Sequence, residues 1–182
     1  MIDTNLSRRG VLAGLGGMAF CIAVGNDGVR LMSQAQANTL ANMPVTPWVR
    51  IAPDGRITIL SAGAEMGQGS QTGLAQLIAE ELDCDWAKVT TEYPTPADNV
   101  RRKRAWGNFN SSGSRAIRES HQYVREGGAA ARLMLIQAAA DEWKVPAAEC
   151  TTDKGVISHK ASNKTTTYGK VAAAAAKLDA PK

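Results

Sequence analysis

The residues best suited to chemistry lie in Gly63-Ala64-Glu65-Met66-Gly67-Gln68-Gly69-Ser70-Gln71-Thr72. Gly67 and Gly69 flank Gln68, so the backbone is free to take positive φ and approach a ligand closely. Gln68 brings an amide that both donates and accepts at that point. The segment stands between an apolar run, Ile57-Thr58-Ile59-Leu60, and a helical pattern whose free N–H groups would open toward the same spot. Such a junction suits a polar, anionic cofactor. It equally suits a tight turn with Gln68 in water, because a glycine pattern alone has low specificity.

A second candidate is Asn110-Ser111-Ser112-Gly113-Ser114-Arg115, ahead of another helical pattern. Ser114 is placed to cap that helix, and Ser112, Ser114 and Arg115 could hold an anion there. Ordinary capping with Arg115 in solvent is the alternative. The run Arg101-Arg102-Lys103-Arg104 is the one dense basic cluster, either a solvated loop or a contact for phosphates or an acidic partner. His121 and His159 each stand apart from other ligand-type residues, which favours structural roles. Glu65 has the chemistry of a general base, but its place beside Met66-Gly67 fits a structural hydrogen-bonding role better. Cys21, Cys84 and Cys150 form no Cys-x-x-Cys set, so iron–sulfur clusters are not expected on this chain. Cys84 and Cys150 are expected to be free, buried thiols.

The elements that must position these groups follow from periodicity. Trp48–Ile51 and Arg56–Leu60 predict a β-hairpin across Pro53-Asp54-Gly55. Leu74, Leu77, Ile78 and Leu82 recur at helical spacing over 71–82. Val89–Tyr93 alternates like a strand. The expected fold is α+β, a sheet with helices packed on one face. An irregular stretch over 94–110 is followed by one long helix over 116–143. Its stripe is Ile117, Val124, Ala131, Leu135, Ala138 and Ala139, with Gly127-Gly128 permitting close packing. A second hairpin over 151–159 and an alanine-rich helix over 168–178 complete the pattern.

The motif Ala64-Glu65-Met66-Gly67-Gln68-Gly69, with Thr72 after it, resembles the molybdopterin-binding large subunit of the xanthine dehydrogenase/aldehyde oxidase family, isoquinoline 1-oxidoreductase type. Further pieces stand in the same order: Trp48-Val49-Arg50-Ile51 with Asp54-Gly55, Ala79-Glu80-Glu81-Leu82, Ser112-Gly113-Ser114-Arg115, Ala138-Ala139-Ala140, Val145 to Cys150, Gly155 to His159, and Tyr168-Gly169-Lys170. The resemblance implies part of a larger molybdopterin-binding domain. It implies oxidation or hydroxylation of an aldehyde or N-heterocycle at a C–H carbon. Gln68 would hydrogen-bond the apical oxygen of the molybdenum, Gly67 and Gly69 would admit the cofactor, and Ser112, Ser114 and Arg115 would be weaker cofactor contacts. No residue of this chain would ligate the metal. The cofactor would be molybdopterin, in its cytosine dinucleotide form. The implied partners are the remainder of the large subunit, a small [2Fe-2S] subunit carrying the iron–sulfur clusters, and a cytochrome c. The family's catalytic base, a late glutamate, has no counterpart here. The chain is therefore expected to be an N-terminal piece of the large subunit, inactive by itself. The competing expectation is a non-catalytic exported binding or assembly module that retains the fold.

The chain has 182 residues, 44% hydrophobic and 21% charged, an ordinary globular composition. Its net charge of +4 is too mild to imply nucleic acid. Ser7-Arg8-Arg9-Gly10-Val11-Leu12, the apolar stretch Val11 to Val24 and Ala35-Gln36-Ala37 together resemble a twin-arginine export signal. The expected organisation is an export signal over 1–37, a linker over 38–47 and the partial cofactor-binding domain over 48–182. Asn38 would begin the mature, periplasmic chain. Left uncleaved, the apolar stretch would instead be a membrane anchor.

Overall fold

The computed structural model describes residues 18–25, 28–33, 45–61, 63–101, 109–179 and 181. Five strands form the main sheet: β1 (Met18–Gly25), β2 (Gly28–Ser33), β3 (Val45–Ile51), β4 (Ile57–Leu60) and β5 (Val89–Glu92). Their spatial order is β2-β1-β3-β4-β5. All neighbours are antiparallel except β4 and β5, which run parallel. A parallel pair needs a crossover, and α1 (Ser70–Leu82) supplies it. The predicted hairpin is β3–β4, with Val49 opposite Ile59 and Ile51 opposite Ile57.

Alternation divides the sheet. Val49, Ile51, Ile57 and Ile59 are buried beneath the helices. On the other face Arg50 pairs with Glu92, and the Thr58 and Thr90 hydroxyls lie 3.4 Å apart. Helices thus cover one face, the α+β arrangement expected from the sequence. Next in the chain come α2 (Pro96–Arg101), α3 (Arg115–Arg118) and α4 (His121–Trp143). Helix α4 buries Val124, Ala131, Leu135, Ala138 and Ala139 and packs along α1. Gly128 makes that approach close, since a Cβ there would stand 2.6 Å from the Ile78 carbonyl oxygen. Arg125 Nε donates to Glu81 Oε1 at 2.8 Å across the same seam.

A second sheet holds β6 (Cys150–Asp153), β7 (Val156–His159) and β8 (Lys164–Thr167), antiparallel in that order. It hooks onto the end of α1. The Gly155 N–H donates to the Asp83 carbonyl at 2.8 Å, and the Thr152 hydroxyl to the Asp83 carboxylate at 2.5 Å. The Tyr168 hydroxyl donates to the Leu82 carbonyl at 2.7 Å. Helix α5 (Tyr168–Ala175) then crosses the β3–β4 turn, where a Cβ on Gly169 would lie 2.4 Å from the Pro53 carbonyl oxygen.

Four features differ from the sequence expectation. The stretch expected to be irregular contains α2. The single long helix is two, α3 and α4. At the break the Ser120 hydroxyl bonds the Ala116 carbonyl, while the Ser120 N–H turns to Ile117. Serine back-bonding of this kind weakens and bends a helix, and the chain breaks here. Strand β8 extends the expected second hairpin. Finally, Met18–Gly25 and Gly28–Ser33, within the expected leader, form the paired strands β1 and β2, and β3 takes in Val45 to Pro47 from the expected linker. The β1–β3 register shifts between Phe20 and Cys21, passing from Val49 to Pro47. Such a bulge relieves the ladder where proline lacks an N–H.

Candidate functional site

The loop from β4 to α1 is organised by one carboxylate. Glu65 Oε1 accepts the N–H groups of Gly67 at 2.8 Å and Gly69 at 2.9 Å. Its Oε2 accepts the Gln71 N–H at 3.0 Å and lies 3.4 Å from the Ser70 hydroxyl. Gly67 and Gly69 both have positive φ, +98° and +78°, which curls the chain around the carboxylate. These backbone donors hold the Glu65 carboxyl below the usual carboxylate range, the Gln71 N–H contributing most. Of the opening N–H groups of α1, expected to face a ligand, that of Gln71 is turned to Glu65 instead. A carboxylate spent on three N–H groups is a poor proton acceptor, so Glu65 is no general base.

Gln68 sits at the exposed crest of this loop. Its Oε1 accepts the Met66 N–H at 2.7 Å. Its Nε2 donates to the Ala64 carbonyl at 2.6 Å and to Ser70 Oγ at 2.7 Å. The amide is thus folded onto its own loop, with both N–H groups engaged and one lone pair of Oε1 in hand. Met66 beside it is 81% exposed. A Cβ added at Gly67 or Gly69 would meet nothing within 4 Å, so these glycines form an open backbone surface on either side of Gln68.

The second candidate segment is joined to the first. The Ala64 N–H donates to the Phe109 carbonyl at 3.0 Å, and the Ser111 hydroxyl donates to the Ala64 carbonyl at 2.6 Å. Gly63 lets the segments close, as a Cβ there would lie 2.8 Å from the Cβ of Ala116. Ser112, Gly113, Ser114 and Arg115 are exposed beyond this seam. Gly113 and Ser114 both take left-handed φ, +63° and +60°. Ser114 makes no capping hydrogen bond, contrary to expectation, because left-handed geometry replaces the extended conformation of an N-cap. Arg115 Nε lies 3.4 Å from Glu119, an ion pair along α3. Of the expected basic run, Arg102, Lys103 and Arg104 lie outside the described residues.

Other candidates resolve into structural roles. His159, 4% exposed, has Nε2 2.9 Å from Glu149 Oε2 and Nδ1 2.7 Å from Ser162 Oγ. It latches the end of β7 to the turns that lead into β6 and β8, at one end of the second sheet. Glu149 escaped the sequence reading because ten residues separate it from His159; the strand register, with Cys150 opposite His159, brings them together. Cys84 and Cys150 are free. Burial pushes the Cys84 thiol up to about 12, which favours the protonated form over the thiolate near neutrality. Among the described residues, no group of three or more His, Cys, Asp or Glu could hold a metal ion.

The residues fit one wall of a cofactor site. The Gly67 and Gly69 backbones are open, Gln68 stands between them, and the hydroxyls of Ser112 and Ser114 are exposed across the seam. These donors and acceptors suit a polar organic ligand and offer no direct metal ligation.

The chain is similar to known proteins along most of its length. The isoquinoline 1-oxidoreductase subunit beta of Brevundimonas diminuta is 36% identical over 171 residues, 93% of this chain and 22% of that one. The membrane-bound aldehyde dehydrogenase [pyrroloquinoline-quinone] of Gluconacetobacter polyoxogenes is 34% identical over 128 residues, 70% of this chain and 16% of that one. The chain thus spans about a fifth of the length of the curated relatives it matches. The crystal structure of quinoline 2-oxidoreductase from Pseudomonas putida 86 shares the fold, with a TM-score of 0.51 and 21% identity over 69% of this chain and 15% of that one. Residues 7–181 match the molybdopterin cofactor-binding domain, and the chain belongs to that family.

Proposed function

We propose that this chain forms one wall of the molybdopterin site in the large subunit of a molybdenum hydroxylase that oxidises an aldehyde or an N-heterocycle. The observation carrying this reading is the seam between the Glu65–Gln71 loop and the Ser111–Arg115 segment. It sets an amide between two open glycines at the exposed end of α1. The names of the relatives, an isoquinoline oxidoreductase subunit and an aldehyde dehydrogenase, support the substrate classes. When bound, the cofactor supplies the two-electron oxidation at carbon. This chain's part is to bind and orient. Gly67 and Gly69 admit the ligand to the backbone, and Gln68 can release the N–H now given to Ser70 to meet a ligand oxygen. Ser112, Ser114 and Arg115 serve as outlying contacts.

The cofactor is proposed to be molybdopterin cytosine dinucleotide, with iron–sulfur clusters on a small partner subunit and a cytochrome c as a further electron partner. The Arg8-Arg9 motif supports export by the twin-arginine route and a periplasmic location. Among the described residues no helix is long and apolar enough to cross a membrane. The test is chemical analysis of protein purified from its host with all co-purifying subunits. Molybdenum, an oxidised pterin fluorophore and released CMP in equal amounts are the expected result. Pyrroloquinoline quinone without molybdenum would replace the reading with a quinoprotein, and neither cofactor would leave a non-catalytic assembly module.

A further inference from the structure

We propose that Glu65 is a positioning residue, whose carboxylate sets the Gln68 amide by holding the loop backbone and the Ser70 hydroxyl. The proposal rests on the reading of Gln68 as a cofactor contact and adds a second residue to that site. Three features carry it. Glu65 is the common acceptor for Gly67, Gly69 and Gln71, so it fixes the backbone on both sides of Gln68. It lies at the positive end of α1, where an anion is favoured, and accepts the Gln71 N–H of that helix. Its Oε2 also lies within reach of the Ser70 hydroxyl, which accepts from Gln68 Nε2.

The last contact gives the arrangement a direction. Glu65 as a carboxylate only accepts, so the Ser70 proton points to Glu65 and the Ser70 lone pairs face Gln68. Nε2 is thereby drawn to the Ser70 side, and Oε1 to the Met66 N–H. When Gln68 gives an N–H to a ligand oxygen, Ser70 loses a donor but keeps Glu65, so no buried group is orphaned. Glu65 therefore makes the amide's release cheap while keeping its orientation.

The test compares Glu65→Gln and Glu65→Ala with the unaltered protein, isolated with its co-purifying subunits. Residue-resolved amide hydrogen exchange is read at Gly67, Gly69 and Gln71, alongside molybdenum content. Exchange about tenfold faster at these three amides in Glu65→Ala, with a smaller rise in Glu65→Gln, is expected from loss of charge-assisted bonds. Molybdenum content should fall with it. The extra protection of the unaltered loop should persist through the ordinary carboxylate range and vanish only as pH falls below it, whereas Glu65→Gln should show no such step. Unchanged exchange would overturn the clamp. Faster exchange with full molybdenum retention would overturn the positioning role. Failure of the cofactor reading itself is separate: Gln68→Ala would then keep its molybdenum while the Glu65 exchange effects persisted.

Discussion

The carbonyl of Ala64 accepts both the Ser111 hydroxyl, at 2.6 Å, and Gln68 Nε2, also at 2.6 Å. One backbone oxygen therefore holds together the two segments of the candidate site. Ser111→Ala removes one of these bonds and leaves the carbonyl satisfied by the other. The expected cost is about 1 kcal/mol, read as a lower urea midpoint with unchanged m-value. On the proposed function, the same variant, isolated with its co-purifying subunits, should lose cofactor on dilution faster than the unaltered protein.

Two glycines in the helix layer should respond oppositely to the same substitution. Gly128→Ala drives a Cβ to 2.6 Å from the Ile78 carbonyl and 3.0 Å from Glu81 Cβ, backbone and side chain of the facing helix. Overpacking of this kind costs about 1–3 kcal/mol. Gly73→Ala in α1 meets only the tip of Ile117, at 3.4 Å. It should be neutral or gain up to about 1 kcal/mol from the better helix propensity of alanine. Thermal unfolding of the two variants side by side measures the contrast.

Tyr168 ties the end of α1 to the second sheet through its bond to Leu82. Burial raises its pKa well above the ordinary 10.0, so the folded state favours the protonated phenol. Its stabilisation is complete below the unfolded-state pKa and is lost as pH rises through about 10 toward the folded value. Tyr168→Phe should cost about 1 kcal/mol at neutral pH and flatten the alkaline decline of stability. Denaturant titrations at pH 7 and pH 10.5 read both effects.

The twin-arginine reading makes a covalent prediction. Intact-mass analysis of protein recovered from the periplasm should give a chain beginning at Asn38. Such processing would remove β1 and β2 and leave β3 with a free edge. A recovered mass that includes Met18–Ser33 would contradict cleavage there and leave β1 and β2 in the sheet.

Much of the fold was legible because local signals agreed. The β3–β4 hairpin followed from Pro53-Asp54-Gly55 between alternating strands, α1 from Leu74, Ile78 and Leu82, and the Gly128 contact from a glycine pair on an apolar stripe. The break at Ser120 was not legible, since a serine within an apolar helical period breaks the helix only if its hydroxyl captures the Ala116 carbonyl. Strand β8 is a polar edge, Lys164 to Thr167, with too little apolar alternation to announce itself. In the site, Gln68 and its glycines stood out by type and spacing. The acceptor roles did not: Glu65 had two readings until its distances to three N–H groups decided between them. Ser111 was indistinguishable from Ser112 until the fold placed it against Ala64.

The most direct measurement of the central claim is molybdenum content of the Gln68→Ala protein, purified with its co-purifying subunits beside the unaltered form. Gln68 is exposed and the loop keeps its Glu65 bonds, so the variant should remain folded, with a thermal midpoint within a few degrees. Cofactor should bind about tenfold more weakly, the effect of one lost hydrogen bond to a charged ligand group, and the molybdenum and pterin content should fall accordingly. Full retention of molybdenum in a folded Gln68→Ala protein would contradict it.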